Sequence, residues 1–295
     1  MAAARSGDAD SVAELLARYQ PRVLRFGLKM CGNPEDAQDV LQDTLFAAAR
    51  TARDFRGASQ VSSWLYAIAR SFCIKKRRRR KHAPAELESL DVLGAAEVPA
   101  ATAPDESPEQ ALETRRLQQA LGAAIAALEP AQREVLLLRD VEGLSAAEVS
   151  TVVGVSVEAV KSRLHRARLA VRAALAPLLG AEVSSGVEAA PTDGAAAERC
   201  PDVLALLSRR LEGDVDPALC ADLEAHVARC ARCRIACDSL KQTVALCRAT
   251  PAPATSVALR DSLRRAVREL LAAPPGAAPV AAVRPPRSPR RSRRS

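Results

Sequence analysis

Every aromatic side chain of this 295-residue sequence lies in its first quarter: Tyr19, Phe26, Phe46, Phe55, Trp64, Tyr66 and Phe72. Beyond Phe72 the apolar residues are mostly Ala, Leu and Val. That alphabet favours helices over strands and builds small cores, so the expected fold class is all-α. Any task that needs rings to stack on bases falls to the first segment. The length has room for about two domains, or three small ones. A formal net charge of +8 points to a polyanionic partner, either nucleic acid or an anionic surface. No run approaches the ~18–20 apolar residues of a membrane-spanning helix, and Met1–Asp10 has no apolar signal core, so no membrane partner and a cytoplasmic location are expected. In that compartment the eight Cys read as thiols or metal ligands rather than a disulfide framework.

The chain divides by composition. Residues 8–81 read as a helical domain in which Asn33-Pro34-Glu35-Asp36 is a helix start: a cap, Pro at the first position, then acids at the positive end of the dipole. The helix that follows places Asp39, Gln42, Asp43 and Phe46 on one face. Further on, Val61, Trp64, Leu65, Ile68 and Phe72 form an apolar stripe that runs into seven consecutive cations, Lys75 to Lys81. Residues 82–112 are acidic and rich in Pro and Ala, the composition of a linker. Residues 113–180 are helical again, 181–198 form a second linker, and 199–250 hold six of the Cys. An amphipathic helix is expected over 256–272 and a disordered basic tail over 274–295.

Residues 143–171 carry the pattern of a helix-turn-helix. Ser145 and Glu148 have the spacing of a capping box, Val149, Val152 and Val153 face inward, Gly154-Val155 makes the turn, and Ser156 caps a second helix. On that helix Val160, Leu164, Ala167 and Val171 form the buried face, while Lys161, Ser162, His165 and Arg166 cluster opposite. A one-sided basic cluster on the second helix suits major-groove docking, where such side chains reach base edges or phosphate. An ordinary helical hairpin with a solvated basic face is the plainer reading; the tandem caps and the one-sided cluster favour DNA.

The stretch Glu134 to Arg168 resembles domain 4 of the extracytoplasmic-function sigma factors, the promoter-specificity subunits of bacterial RNA polymerase. The resemblance implies that Lys161, Ser162, His165 and Arg166 read the −35 promoter element, with Arg163 and Arg168 nearer phosphate. Asp36-Ala-Gln-Asp-Val-Leu-Gln-Asp-Thr-Leu45 resembles the family segment that grips core RNA polymerase, which implies that role for Asp39, Gln42, Asp43 and Phe46. Phe55 to Arg70 resembles the −10 recognition and melting segment; it implies DNA contacts from Arg56, Ser63, Tyr66, Arg70, Lys75 and Lys76, and leaves Trp64 to the core. The sequence departs from that pattern at Ser71 and Lys75, where the family more often has Asn and Asp.

In the Cys-rich segment, His226-x3-Cys230-x2-Cys233 sets an imidazole and two thiols on one side of a helix end, where one tetrahedral ion collects them. Cys200 is the best fourth ligand. Cys237 and Cys220 stand as additional candidates, and an all-thiolate set would favour Cu(I), Cd(II) or Zn(II). The run from Cys200 to Cys233 resembles the zinc-binding anti-sigma domain, normally a separate protein, and the layout is similar to CorE-like sigma factors with a fused Cys-rich domain. The resemblance implies a zinc cofactor, with Cu or Cd as candidate sensed metals, and intramolecular contact between the Cys-rich domain and the sigma domains.

Two small helical sigma domains joined by an extended linker, followed by a small helical Cys/His domain, are therefore expected. The expected function is promoter-specific initiation with core RNA polymerase and promoter DNA as partners, regulated by a metal- or redox-responsive tail. The alternative is a helix-turn-helix regulator with a structural zinc site that never contacts polymerase. No enzymatic role is expected: the sequence holds no Gly-rich phosphate loop, no nucleophile–base pair at recognisable spacing and only three His.

Overall fold

The computed structural model describes residues 8–52, 60–81, 107–179 and 200–272, with side chains through 79 in the second stretch. The expected linker over 181–198, the basic tail over 274–295, most of the acidic linker and Arg56 lie outside the described residues. Among the described residues there are eleven α-helices and no strand. They are α1 (Ala9–Cys31), α2 (Pro34–Thr51), α3 (Val61–Lys81), α4 (Pro108–Ala127), α5 (Pro130–Leu136), α6 (Ala146–Val153), α7 (Val157–Leu175), α8 (Val203–Leu211), α9 (Pro217–Arg229), α10 (Ala231–Arg248) and α11 (Val257–Ala272). The chain divides into two compact units.

The first unit comprises Met1–Ala101, Ala147–Val155 and Pro251–Ser295. Asp8 caps α1 by accepting from the Ser11 N–H at 2.8 Å, and Asn33 caps α2 by accepting from the N–H groups of Glu35 and Asp36 at 2.7 and 3.2 Å. Between these helices the chain reverses at Gly32, whose φ of +72° is the left-handed value a helix C-cap requires. The pair packs closely at Gly27, where an added Cβ would stand 3.3 Å from Ala37 Cα, Cβ and O. Val12, Leu16, Val23, Phe26 and Met30 of α1 meet Val40, Leu41 and Leu45 of α2 and Leu65, Tyr66, Ala69 and Phe72 of α3 in one buried core. Phe26 and Tyr66 stack tilted, with centroids 5.5 Å apart. Cys31 and Cys73 bring their sulfurs to 3.5 Å as small apolar fillers. The amphipathic helix α11 buries Leu263 and Val267 and pairs Arg264 with Glu14 at 2.8 Å and Arg268 with Asp10 at 2.7 Å.

The second unit comprises Thr102–Ala146 and Ser156–Thr250. Here α4 begins at Pro108, inside the stretch read from composition as linker, because Ser107 and Gln110 form a reciprocal capping box. Arg133 closes the other end of that helix, donating to the carbonyls of Ile125 and Leu128 at 3.1 and 3.0 Å. After α5 the chain widens into a π-turn, Leu137–Val141, in which the Glu142 N–H reaches Leu137 O at 2.9 Å. Leu121, Ile125 and Val135 to Leu138 pack with Val160, Leu164, Ala167, Val171 and Leu175 of α7 as the core. A second cluster, Val203, Leu207, Leu223, Cys233, Cys237, Leu240 and Val244, holds α8, α9 and α10 together.

At the centre of this unit Arg168 of α7 is 1% exposed. Its guanidinium donates to both oxygens of Asp140 at 2.8 and 2.6 Å and to Glu212 Oε1 at 2.8 Å. The expectation that Arg168 lies near phosphate is therefore corrected: it is a buried structural cation. Removing one partner from such a pair leaves a desolvated charge short of compensation. Asp140→Ala is expected to destabilise the unit by about 3 kcal/mol, the lower end for breaking a buried pair because Glu212 remains. A urea unfolding midpoint equal to wild type would contradict that account.

Candidate functional site

The helix α7 starts at Ser156, whose hydroxyl accepts from the Ala159 N–H at 3.1 Å. The preceding turn depends on Gly154, at φ +79°, whose N–H reaches Ser150 O at 2.8 Å. On α7, Ser162 and Arg166 are exposed. Lys161 forms an ion pair with Asp214, and His165 Nδ1 lies 2.9 Å from Ser208 Oγ. Arg163 is half-buried. The sequence-expected readers thus share one helix, but two of them are engaged by residues of the Cys-rich segment.

In the first unit Asp39, Gln42 and Asp43 are exposed on α2, with Phe46 half-buried beside them. Lys76 of α3 pairs with Asp39 and lies 3.5 Å from Asp36. The hydrogen bond that the Lys76 ammonium donates to the Asp39 carboxylate raises the Lys76 pKa. Partial enclosure, then the neighbouring Asp39 charge, raises that of Asp43. The α2 face and the start of the basic run therefore meet in one mixed patch, so Lys76 is drawn toward acid rather than projected alone.

The residues expected at the −10 element separate. Lys75 is exposed and Arg70 half-buried, but Ser63 is buried and donates to Glu148 Oε1 at 2.9 Å. Tyr66 is 0% exposed against Phe26. The expectation of Tyr66 as a stacking ring and Trp64 as core is reversed, for Trp64 is the partly exposed one. Both lie within one turn of the apolar stripe, and periodicity alone does not rank two neighbouring rings by depth.

The metal centre is built by a helix junction. Cys230 ends α9, its N–H reaching His226 O at 2.9 Å, and opens α10 as its N-terminal flank. His226 therefore sits in the last turn of α9 and Cys233 in the first turn of α10, while Cys200 precedes α8. The donor atoms of Cys200, His226, Cys230 and Cys233 all lie within 4.8 Å of one another. His226 Nε2 is 3.2 Å from Cys233 Sγ. The Cys233 N–H, donating to the Cys230 sulfur, lowers the Cys230 thiol pKa. Burial and then the sulfurs of Cys230 and Cys200 push Cys233 up to about 12. Three thiols and one imidazole converging at this spacing fit a closed tetrahedral ion of the zinc type. The additional candidates fall outside it: neither Cys237, buried among α8, α9 and α10, nor Cys220 is among the four gathered donors.

Comparison with known proteins matches this arrangement segment by segment. Residues 15–83 match Sigma-70 region 2, residues 118–171 match Sigma-70, region 4, and residues 200–234 match a putative zinc-finger. The chain is 32% identical over 177 residues to the RNA polymerase sigma-H factor of Pseudomonas aeruginosa, spanning 59% of this chain and 90% of that one. It is 35% identical over 181 residues to the ECF RNA polymerase sigma factor SigM of Mycobacterium tuberculosis, spanning 61% and 83%. Among solved structures, CnrH in complex with the cytosolic domain of CnrY is similar with a TM-score of 0.43 and 25% identity, over 60% of this chain and 94% of that one. With relatives matched over most of their length and both sigma regions present in order, this chain belongs to the extracytoplasmic-function sigma factors, which bind RNA polymerase and direct promoter-specific initiation, and it carries a zinc-finger regulatory segment on the same polypeptide.

Proposed function

We propose that residues 8–81 and 113–180 act as the two promoter-reading sigma domains, joined by the acidic stretch 82–112, and that residues 199–250 form a zinc-binding regulatory domain inside the same cytoplasmic chain. The exposed Asp39, Gln42 and Asp43, with Phe46 beside them, present carboxylates and an amide to core RNA polymerase. Ser162 and Arg166 of α7, together with Lys161 and His165 when released, reach the −35 bases, and Arg163 lies nearer the backbone. At the −10 element Arg56, Arg70 and Lys75 supply cations, and the partly exposed Trp64 is a better stacking candidate than the buried Tyr66. The observation that supports this reading best is the exposed acidic face on a helix of the polymerase-binding region, on the same chain as a capped basic helix. A DNA-binding regulator needs only the second of these.

Run-off transcription with core polymerase on promoter fragments of the host genome tests the reading directly. Replacing Asp39 and Asp43 together with Ala is expected to weaken polymerase binding about tenfold or more. If polymerase affinity is unchanged in that variant, the non-sigma alternative gains. Arg166→Ala is expected to lower −35 discrimination by about 1–3 kcal/mol; an equal loss on every sequence would reassign it to phosphate.

The ion is proposed to be zinc, held by Cys200, His226, Cys230 and Cys233. When bound, it would tie the start of α8 to the α9–α10 junction and contribute folding free energy to a domain with a small core. Cys230→Ser and Cys233→Ser are each expected to abolish stoichiometric zinc in purified protein, measured by atomic emission. Zinc content equal to wild type in either variant would defeat the ligand assignment. Zinc as a structural tie and the segment as a metal or redox sensor remain two regulatory forms of this proposal. Titrating Zn, Cu and Cd into the transcription assay separates them, because a structural site leaves output independent of which ion is added once zinc is saturating.

A further inference from the structure

On α7, Lys161, His165, Arg168 and Arg172 are spaced by four, three and four residues and therefore form one stripe. Every member of it has a partner from the Cys-rich segment: Asp214 for Lys161, Ser208 for His165, Glu212 for Arg168, and Ser239, whose hydroxyl accepts from Arg172 Nε at 2.6 Å. Glu212 also takes Arg139 from the π-turn at 2.8 Å, so its two carboxylate oxygens bridge two arginines with 3% of the side chain exposed. The turn that delivers these acids is built. Gly213 adopts φ +74°, and the Gly213 and Asp214 N–H groups reach Arg210 O and Arg209 O, each at 3.0 Å. A compact acidic turn on a stripe of three cations, Lys161, Arg168 and Arg172, with the imidazole of His165 among them, has the charge and the bridging geometry of a nucleic-acid phosphate.

We propose that the turn Leu211–Asp214 is an intramolecular competitor of promoter DNA, closing the Lys161/His165 half of the α7 reading face while Ser162 and Arg166 stay open. This rests on the reading of α7 as the −35 helix. The two acids have separate tasks. Glu212 is buried and shares Arg168 with Asp140, so it pins the turn in place, and Arg168 itself never becomes a DNA contact. Asp214 pairs with Lys161 at the half-exposed edge, where an ion pair holds weakly and a phosphate displaces it readily. Full engagement of α7 with DNA then requires the turn to leave, which makes −35 affinity adjustable by whatever loosens α8.

The test compares intact wild type with the Glu212→Ala/Asp214→Ala double variant, using a fluorescent 30-base-pair duplex of randomised sequence and anisotropy across a salt series. Release of Lys161 and exposure of His165 are expected to tighten binding about tenfold at low salt. The slope of log K against log salt should steepen by about one, for the one cation, Lys161, freed toward phosphate. A charge-matched control, Asp222→Asn/Glu224→Gln, removes two exposed acids of α9 in the same segment and is expected to change neither quantity appreciably. Asp214→Asn, which leaves the Glu212 pin intact, covers the case in which the double variant fails to fold, and should tighten binding about threefold. Affinity and slope equal to wild type in the folded variants, or an equal gain in the control, overturn the proposal. Arg166→Glu, which sets an acid on the exposed face and so opposes any duplex whatever its sequence, identifies in each background which reading has failed. If it weakens binding while the turn variants do nothing, the competitor falls and the −35 helix stands; if it changes nothing anywhere, the assignment of α7 falls and takes the competitor with it.

Discussion

The buried guanidinium of Arg168 organises the second unit. A cation that is 1% exposed is tolerated only if its donors meet charged acceptors, because the desolvation cost of an unpaired ion exceeds what packing returns. Asp140 supplies two of those acceptor contacts and Glu212 a third. Asp140 lies in the π-turn and Glu212 follows α8, so one side chain sets the relation of three segments widely separated in sequence. The widened turn at Leu137–Val141 has a physical role in this arrangement: just after the apolar run Val135 to Leu138 it places Asp140 inward, where both carboxylate oxygens meet the guanidinium of Arg168.

The rest of the unit follows from that constraint and from the metal ligands. The cluster of Val203, Leu207, Leu223, Leu240 and Val244 is small for a domain of about fifty residues, a size at which a metal commonly supplements the core. Cys200 opens that segment and the Cys230–Cys233 junction follows α8 and α9, so an ion there would close the loop that contains both helices. Glu212 acts at another point, fixing the α8–α9 turn against α7. The Cys-rich segment thus combines two different chemistries, a convergent set of four soft donors within itself and ion pairing to its neighbour.

Local features of the fold were readable in the sequence because local rules decide them. Asn33-Pro34, Ser156 and the Gly154 turn all mark helix boundaries through backbone groups that need a partner within three or four residues, and such partners are visible in the chain. The four metal donors were readable for the same reason, since three of them sit at helical spacing. What was not readable depends on depth and long range. Tyr66 and Trp64 are two residues apart on one stripe, and which of them meets Phe26 is settled by how α3 packs, not by period. Arg168 looked like another surface cation of a basic helix because its acceptors are 28 and 44 residues away. Cys237 continues the thiol stripe in the sequence, but one further turn along α10 leaves its sulfur outside the group of four converging donors.

The same contrast bears on how α7 can serve both structure and recognition. Its apolar stripe, Val160, Leu164, Ala167 and Val171, is consumed by the core, and Arg168 by the buried ion pairs, so the surface left for DNA is the narrow sector of Lys161, Ser162, His165 and Arg166. A sector of four side chains cannot be half covered without consequence, since each base or phosphate contact is a large fraction of the total. The acidic turn need not enclose the helix to restrain it; holding Lys161 and His165 is enough to remove half of the set. A regulatory segment on the same chain also sits at a fixed effective concentration, so weak surface pairs suffice where a separate protein would need a large interface. Few and partly exposed contacts at the edge, backed by one buried anchor, are the arrangement that lets such a segment stay seated yet yield to DNA.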